Sequence, residues 1–217
     1  MVEPLSIPVS REDILSKLNN TSRDLVFKDY IELINLYNQK INLVSRRLSK
    51  EQIGFIILDS LVPVYLNLVP GNLKILDLGS GSGILGIPMA IARPDLGITL
   101  AESNTKKCAF LRKAVSALKI PNITIQNQYF SRQSKVSTNF DFVIIKAVSD
   151  LYSMCYKCAP LLVSCGKMIV FKSRFTQKER KFFAKSDCEF DIYKTINYSL
   201  NSGQVSKDYI LLMLEKK

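Results

Sequence analysis

The chain has 217 residues, 47% of them apolar, which is enough for one sizeable core and excludes a disordered chain. Lysine and arginine exceed aspartate and glutamate by 11 and histidine is absent, which excludes Ser-His, Cys-His and histidine-metal chemistry together. Residues 1–72 hold eight basic and eight acidic side chains and residues 73–217 hold 22 and 11, so the second stretch carries the whole surplus; a polyanionic partner and a merely solvated cationic surface account for it equally well.

Glu3, Pro4 and Pro8 break the apolar continuity of a signal peptide. Ser10 to Asn19 and Ser22 to Gln39 read as helices, the second capped by Ser22, with Leu25, Val26, Tyr30, Leu33, Ile34 and Tyr37 on one face. Asn42 to Arg47 is a polar break. Ser49 then caps a helix through Ile53, Ile57, Leu61 and Tyr65. The greasy run Ile53 to Val69 is interrupted by Asp59, Pro63 and Asn67 and is too short to span a bilayer, so a cytoplasmic protein with no membrane partner is expected. Residues 1–72 read as an N-terminal helical extension packed on a sheet, joined at Pro70-Gly71 to a domain over 73–217.

That domain opens with Leu73 to Leu78, an apolar strand, followed by glycines at 79, 81 and 83 and a helix through Ile87, Met89 and Ile91. Glycines so spaced suit a sharp turn against which a ligand lies directly, because a Cβ would forbid both the dihedrals and the approach. The spacing Asp77-x-Gly79-x-Gly81-x-Gly83 is not that of a dinucleotide fingerprint, which wants its third glycine three positions after the second. Arg93-Pro94 stops the helix, and Ile98 to Ala101 is a strand ending at Glu102, where a carboxylate about twenty residues past the loop would accept from ribose hydroxyls.

Asn104 to Leu118 is a helix with Lys106, Lys107, Arg112 and Lys113 exposed and Phe110, Leu111, Ala114 and Leu118 inward. Ile123 to Gln126 and Phe140 to Ile145 are strands, the latter ending at Lys146, and Ser149 or Asp150 caps the next helix. Cys155 and Cys158, within it, read as small buried helix residues rather than a metal or redox pair. Met168 to Phe171 is a strand ending at Lys172, Thr176 to Ser186 a basic helix, and Phe190 to Leu200 with Asp208 to Leu214 a closing hairpin. The order predicts an α/β, Rossmann-like, doubly wound sheet of seven mostly parallel strands, one of them antiparallel.

With these pieces placed, the sequence resembles the bacterial RsmG (GidB) family, ribosomal RNA small subunit methyltransferase G. The matching stretches are Tyr37-Asn38 through Asn42-Leu43-Val44-Ser45, Ile57-Leu58-Asp59-Ser60, the glycine loop with Gly86-Ile87-Pro88, and Ala92-Arg93-Pro94. Glu102-Ser103, Lys106-Lys107, Phe110-Leu111-Arg112, Lys146-Ala147 and Lys172 extend the match. The resemblance implies transfer of a methyl group from S-adenosyl-L-methionine (AdoMet) to N7 of one guanine in 16S ribosomal RNA, naked or in the subunit; a monomer is expected. It also places Asp77, Gly79, Ser80, Gly81, Gly83 and Leu85 at the methionine end of the cofactor, and Glu102 and Ser103 at the ribose. Gln128 and Tyr129 border adenine, and Lys146 and Lys172 hold the guanine or a phosphate, Lys146 also reaching the cofactor. Where the family has Arg-His before Ile57, this chain has Phe55-Ile56; Leu85 replaces a proline, Lys146 an arginine and Ser173 a glycine; the arginine near Tyr129 is missing, and Lys207 stands where an arginine precedes the last strand. Lysine does not reproduce arginine's bidentate fork, so the reading that competes at this point is a catalytically weakened ribosomal RNA binding or assembly protein of the same fold.

Overall fold

The computed structural model describes residues 6–18, 21–132, 134, 139–146, 150–184, 188–203 and 205–217. They fall into two compact units, Ser10–Tyr129 and a second made of the stretch up to Val9 with Phe130–Lys217. The N-terminal helices belong to the same unit as the glycine loop.

In the first unit, helices α1 (Arg11–Leu18), α2 (Thr21–Asn38) and α3 (Lys50–Tyr65) precede strands β2 (Lys74–Leu78), β3 (Gly97–Ala101) and β4 (Ile123–Gln126), with α4 (Gly86–Ala92) and α5 (Thr105–Ala117) between the strands. β2 pairs with β3 and β3 with β4, both parallel, as short apolar strands separated by helical crossovers require. α2 and α3 pack on α4, and α2 also on α5, so every residue of α4 is buried. α3 begins as read, with Ser49 and Gln52 forming a reciprocal capping box. α2 begins one residue earlier than expected: Ser22 lies inside the helix and is not its cap. Asn104, read only as helical, is the cap of α5, its side chain accepting from the N–H groups of Lys106 and Lys107 at 3.0 and 3.1 Å. Phe110, Leu111 and Ala114 of that helix are buried, while Leu118 is half-exposed.

In the second unit, β5 (Phe140–Lys146) pairs parallel with β6 (Leu162–Lys172), and β8 (Val205–Lys216) pairs antiparallel with both β6 and β7 (Phe190–Ser202). β8 is thus the expected antiparallel strand. α6 (Leu151–Cys158) is capped by Asp150 and α7 (Gln177–Phe183) by Thr176; Ser149 and Ser186 lie outside the described residues. An eighth strand, β1 (Ile7–Ser10), joins the seven expected ones beside β7. β6 starts six residues earlier than its apolar core suggests, because Leu162 pairs with Phe140 ahead of an irregularity that resets the register. The alternation of parallel strands and covering helices makes the fold α/β and Rossmann-like.

Candidate active site

The loop between β2 and α4 is bent by three left-handed glycines, with φ of 76° at Gly79, 59° at Gly81 and 81° at Gly83. Their surroundings differ. A Cβ on Gly79 would meet nothing within 4 Å and one on Gly81 only the Gly79 carbonyl oxygen at 3.9 Å, so both face open space. One on Gly83 would stand 2.7 Å from Ile87 Cδ1 and 2.8 Å from Leu111 Cδ2, and one on Gly86 2.4 Å from Leu100 Cδ2. The first two glycines therefore leave a bare-backbone cradle, and the other two let α4 pack close.

Backbone hydrogen bonds tie the cradle to the neighbouring strand. Gly79 and Ser80 both donate their N–H to the Ala101 carbonyl, at 2.9 and 3.0 Å, and Gly83 donates to Ser80 at 2.7 Å. The Ser80 hydroxyl donates to the Asp77 carbonyl at 2.8 Å. From α2, the buried Tyr30 donates its hydroxyl to the Ser82 carbonyl at 2.7 Å. Tyr30 reads from sequence as one more member of an apolar stripe, and no local signal marks its partner. Leu85 is buried at the N-terminus of α4 and contributes packing there.

Two carboxylates flank the loop. Asp77 is buried, with Oδ2 accepting the Gly86 N–H at 3.0 Å. Burial pushes its pKa up to about 7, opposed by the Gly86 N–H and the Ser80 hydroxyl and reinforced by the negative charge of Glu102. Glu102, just past β3, is 8% exposed and turned toward the glycines. Its Oε2 accepts from Gly81 N at 2.9 Å and its Oε1 from Asn104 N at 2.8 Å. A carboxylate offers about four lone-pair positions, so each oxygen retains room for a further donor. Ser103, Gln128 and Tyr129 are exposed, Tyr129 at 64%. Between them Asn127 donates to the carbonyls of Glu102 and Ser103, at 3.1 and 3.0 Å, fixing the end of β4 beside that of β3.

The two lysines lie in the second unit. They stand at the carboxyl ends of adjacent strands, Lys146 opposite Phe171 and one step from Lys172. Lys146 Nζ lies 5.8 Å from the centre of the Phe171 ring. Lys172 Nζ contacts Glu179 Oε1 at 2.5 Å, with both side chains largely buried. Glu179 also accepts from the Thr176 N–H and hydroxyl. Burial works to raise the Glu179 pKa, and Lys172 and Thr176 outweigh it, so the net shift is downward. The capping-box spacing Thr176-x-x-Glu179 marks Glu179 in the sequence as a helix-start residue, with no sign of its pairing to Lys172. Among the described residues no group of three or more acidic, cysteine or histidine side chains gathers to hold a metal, and no helix is long and apolar enough to cross a membrane. Cys155 and Cys158 are buried free thiols, and burial pushes Cys158 up to about 12 and Cys155 well above the ordinary thiol value, far from the reactive thiolate range.

Solved structures share this architecture. The chain is similar to the tRNA (m1A58) methyltransferase TrmI from Aquifex aeolicus, with 15% identity and a TM-score of 0.53 over 76% of each chain. It is also similar to coclaurine N-methyltransferase bound to N-methylheliamine and SAH, with 9% identity and a TM-score of 0.56 over 87% of this chain and 66% of that one. Fold and loop together define a Rossmann-like domain of the methyltransferase fold. Within that class, a family model described as rRNA small subunit methyltransferase G matches residues 24–206. Ribosomal RNA small subunit methyltransferase G of Nitrosococcus oceani is 36% identical over 172 residues, 79% of this chain and 77% of that protein. The chain belongs to the rRNA small subunit methyltransferase G family, a family of enzymes.

Proposed function

We propose that the protein uses AdoMet to methylate N7 of one guanine in 16S ribosomal RNA, naked or within the small subunit. The observation that carries this reading is the grip of Glu102 on Gly81 beside the open α-carbons of Gly79 and Gly81. A carboxylate with spare acceptor sites adjoins a stretch of backbone that leaves room for a ligand, which is what a nucleoside joined to an amino acid needs.

In this reading Gly79, Ser80 and Gly81 receive the methionine end, with Asp77, Gly83 and Leu85 fixing the loop behind them. Glu102 accepts the ribose hydroxyls and Ser103, Gln128 and Tyr129 border the adenine. The cofactor supplies an electrophilic methyl group on a cationic sulfur. Guanine N7 carries a free lone pair, so no side chain has to remove a proton before attack, and a chain without histidine lacks nothing for the task. What remains for the protein is to orient the base and exclude water. Lys146 is assigned the guanine O6, where a single ammonium donor fixes the base by one charge-assisted hydrogen bond. Lys172 is assigned a positioning role, because its ammonium holds Glu179 and thereby the start of α7 against the end of β6. The basic surplus of residues 73–217 suits a polyanionic substrate.

Methyl transfer tests the reading: AdoMet carrying a tritiated methyl is incubated with purified small subunits and with their naked RNA, and the label is located in digested nucleosides. Label in 7-methylguanosine is expected from at least one substrate. RNA binding with no incorporation would replace the enzyme by a binding protein of the same fold.

A further inference from the structure

The second unit carries a surface whose composition sets it apart. Tyr152, at the start of α6, keeps 58% of its surface exposed, and its ring meets Phe182 of α7 edge to face, with centroids 4.9 Å apart and planes at 79°. Phe182 in turn touches the buried Phe183, so the pair is rooted in the core at one end and open at the other. Two recesses share Tyr152, Lys178 and Phe182 as a common wall. One, of about 430 Å³, also takes in Ser173 and Arg174; the other, of about 550 Å³, takes in Gln177 and Lys181.

The charges around this wall do not cancel. Arg174, Lys178 and Lys181 are exposed. Both acidic residues of the first recess are already engaged, Asp150 capping α6 through the Ser153 N–H and Glu179 holding Lys172. In the first recess Arg174 and Lys178 outnumber the one acid not paired with a cation, Asp150, and the lining of the second holds Lys178 and Lys181 with no acidic residue, so a ligand entering either meets an aromatic edge and a net positive charge. An exposed tyrosine contributes little to folding, since it keeps most of its surface in water. The same ring suits a planar base, because stacking of a base on an aromatic side chain is worth about 1–3 kcal/mol, while lysines beside it take the phosphates.

We propose that this wall docks an unpaired nucleotide of the RNA substrate, its base stacked on Tyr152 and its phosphates on Lys178 and Lys181. The inference rests on the RNA methyltransferase reading. None of the glycine-loop residues lines either recess, so the docked base is not the methyl acceptor. An acidic peptide would use the lysines but draw nothing from the aromatic ring, which is why the geometry favours a nucleotide.

Fluorescence anisotropy with a labelled octauridylate tests this, using the full chain as wild type, Tyr152→Ala, Tyr152→Phe and Lys178→Ala/Lys181→Ala, with retention of small-subunit RNA on a filter as reference. Tyr152→Ala is expected to weaken octauridylate binding roughly 5- to 100-fold, and Tyr152→Phe, which keeps the ring, by no more than about twofold. An abasic backbone of equal length should bind weakly and respond to neither. The double lysine variant should flatten the salt dependence by about 0.7 per cation lost. AdoMet affinity should be unchanged in Tyr152→Ala, and its melting temperature should fall only by the loss of the edge-to-face contact with Phe182, which Tyr152→Phe keeps. Wild-type retention of small-subunit RNA with no effect of Tyr152→Ala on octauridylate would overturn the inference and leave the methyltransferase reading standing. Polyglutamate binding that Lys178→Ala/Lys181→Ala abolishes, with octauridylate binding untouched by Tyr152→Ala, would reassign the wall to an acidic peptide. No binding of octauridylate by wild type would overturn the inference, while the methyltransferase reading stands or falls on methyl transfer to the small subunit and its RNA.

Discussion

Tyr30 in α2 donates its hydroxyl to the carbonyl oxygen of Ser82 at 2.7 Å, so a helix outside the alternating strand-helix repeat clamps the glycine loop. Both groups are buried, and the tyrosine's pKa is driven well above its ordinary value, first by burial and then by the nearby charge of Asp77. Tyr30→Phe removes the donor and strands the carbonyl, which costs about 1–3 kcal/mol. Urea unfolding should show a lower midpoint with an unchanged slope. An unmoved midpoint would mean that the loop holds itself.

The glycines separate packing from ligand approach. Gly83→Ala forces a methyl against Ile87 and Leu111 at a left-handed dihedral, and should lower stability by about 1–3 kcal/mol. Gly79→Ala meets open space and carries only the dihedral strain, about 1 kcal/mol, but puts a methyl where the cofactor is proposed to lie. Thermal melts and calorimetric AdoMet titration should therefore rank the two variants in opposite orders. The same order in both would dissolve the distinction between cradle and packing glycines.

Asp77 gives the protein a signed pH dependence. Its folded pKa is raised from the ordinary aspartate value to about 7, so its contribution to stability is fully present below about pH 4 and is lost as the pH rises through 7. Asp77→Asn removes this titration. The difference in melting temperature between the variant and wild type should grow in the variant's favour from pH 5 to pH 8. A constant difference across that range would contradict a buried, proton-binding carboxyl at this position.

Much of this arrangement is legible in the sequence, for identifiable reasons. The alternation of short apolar runs with helical periodicity yields the parallel strands, and the separation of Asp77, the glycines and Glu102 places both carboxylates beside the loop, as found. β1 is not legible, because Ile7-Pro8-Val9 is too short to show a period and acquires its strand character only beside β7. The start of α2 turns on which of two adjacent hydroxyl residues leads, which propensity does not decide. Tyr30 escapes because its partner is 52 residues away. Lys172 reads as a free strand-end cation, and only tertiary structure reveals Glu179 beneath it.

The two strand-end lysines should fail differently. Lys172→Ala strands Glu179 and should cost up to about 3 kcal/mol in stability, with Lys172→Met/Glu179→Gln recovering much of the loss because no charge is left unpaired. Lys146→Ala should leave AdoMet affinity nearly unchanged and lower turnover by roughly 10- to 100-fold, the worth of one charge-assisted hydrogen bond. Denaturation curves and single-turnover methyl transfer distinguish them. Normal turnover with a large loss of AdoMet affinity in Lys146→Ala would contradict its assignment to the base.

Glu102 holds the loop through Gly81 and is the carboxylate proposed to accept from the ribose. Calorimetric titration of AdoMet into wild type and Glu102→Ala, with the fold of each checked by its melt, is the most direct test. One equivalent should bind to wild type, and the variant should bind at least roughly tenfold more weakly, as loss of hydrogen bonds to a charged acceptor predicts. No binding by folded wild type, or equal affinity in the two proteins, would contradict the claim that the glycine cradle and this carboxylate form the cofactor site.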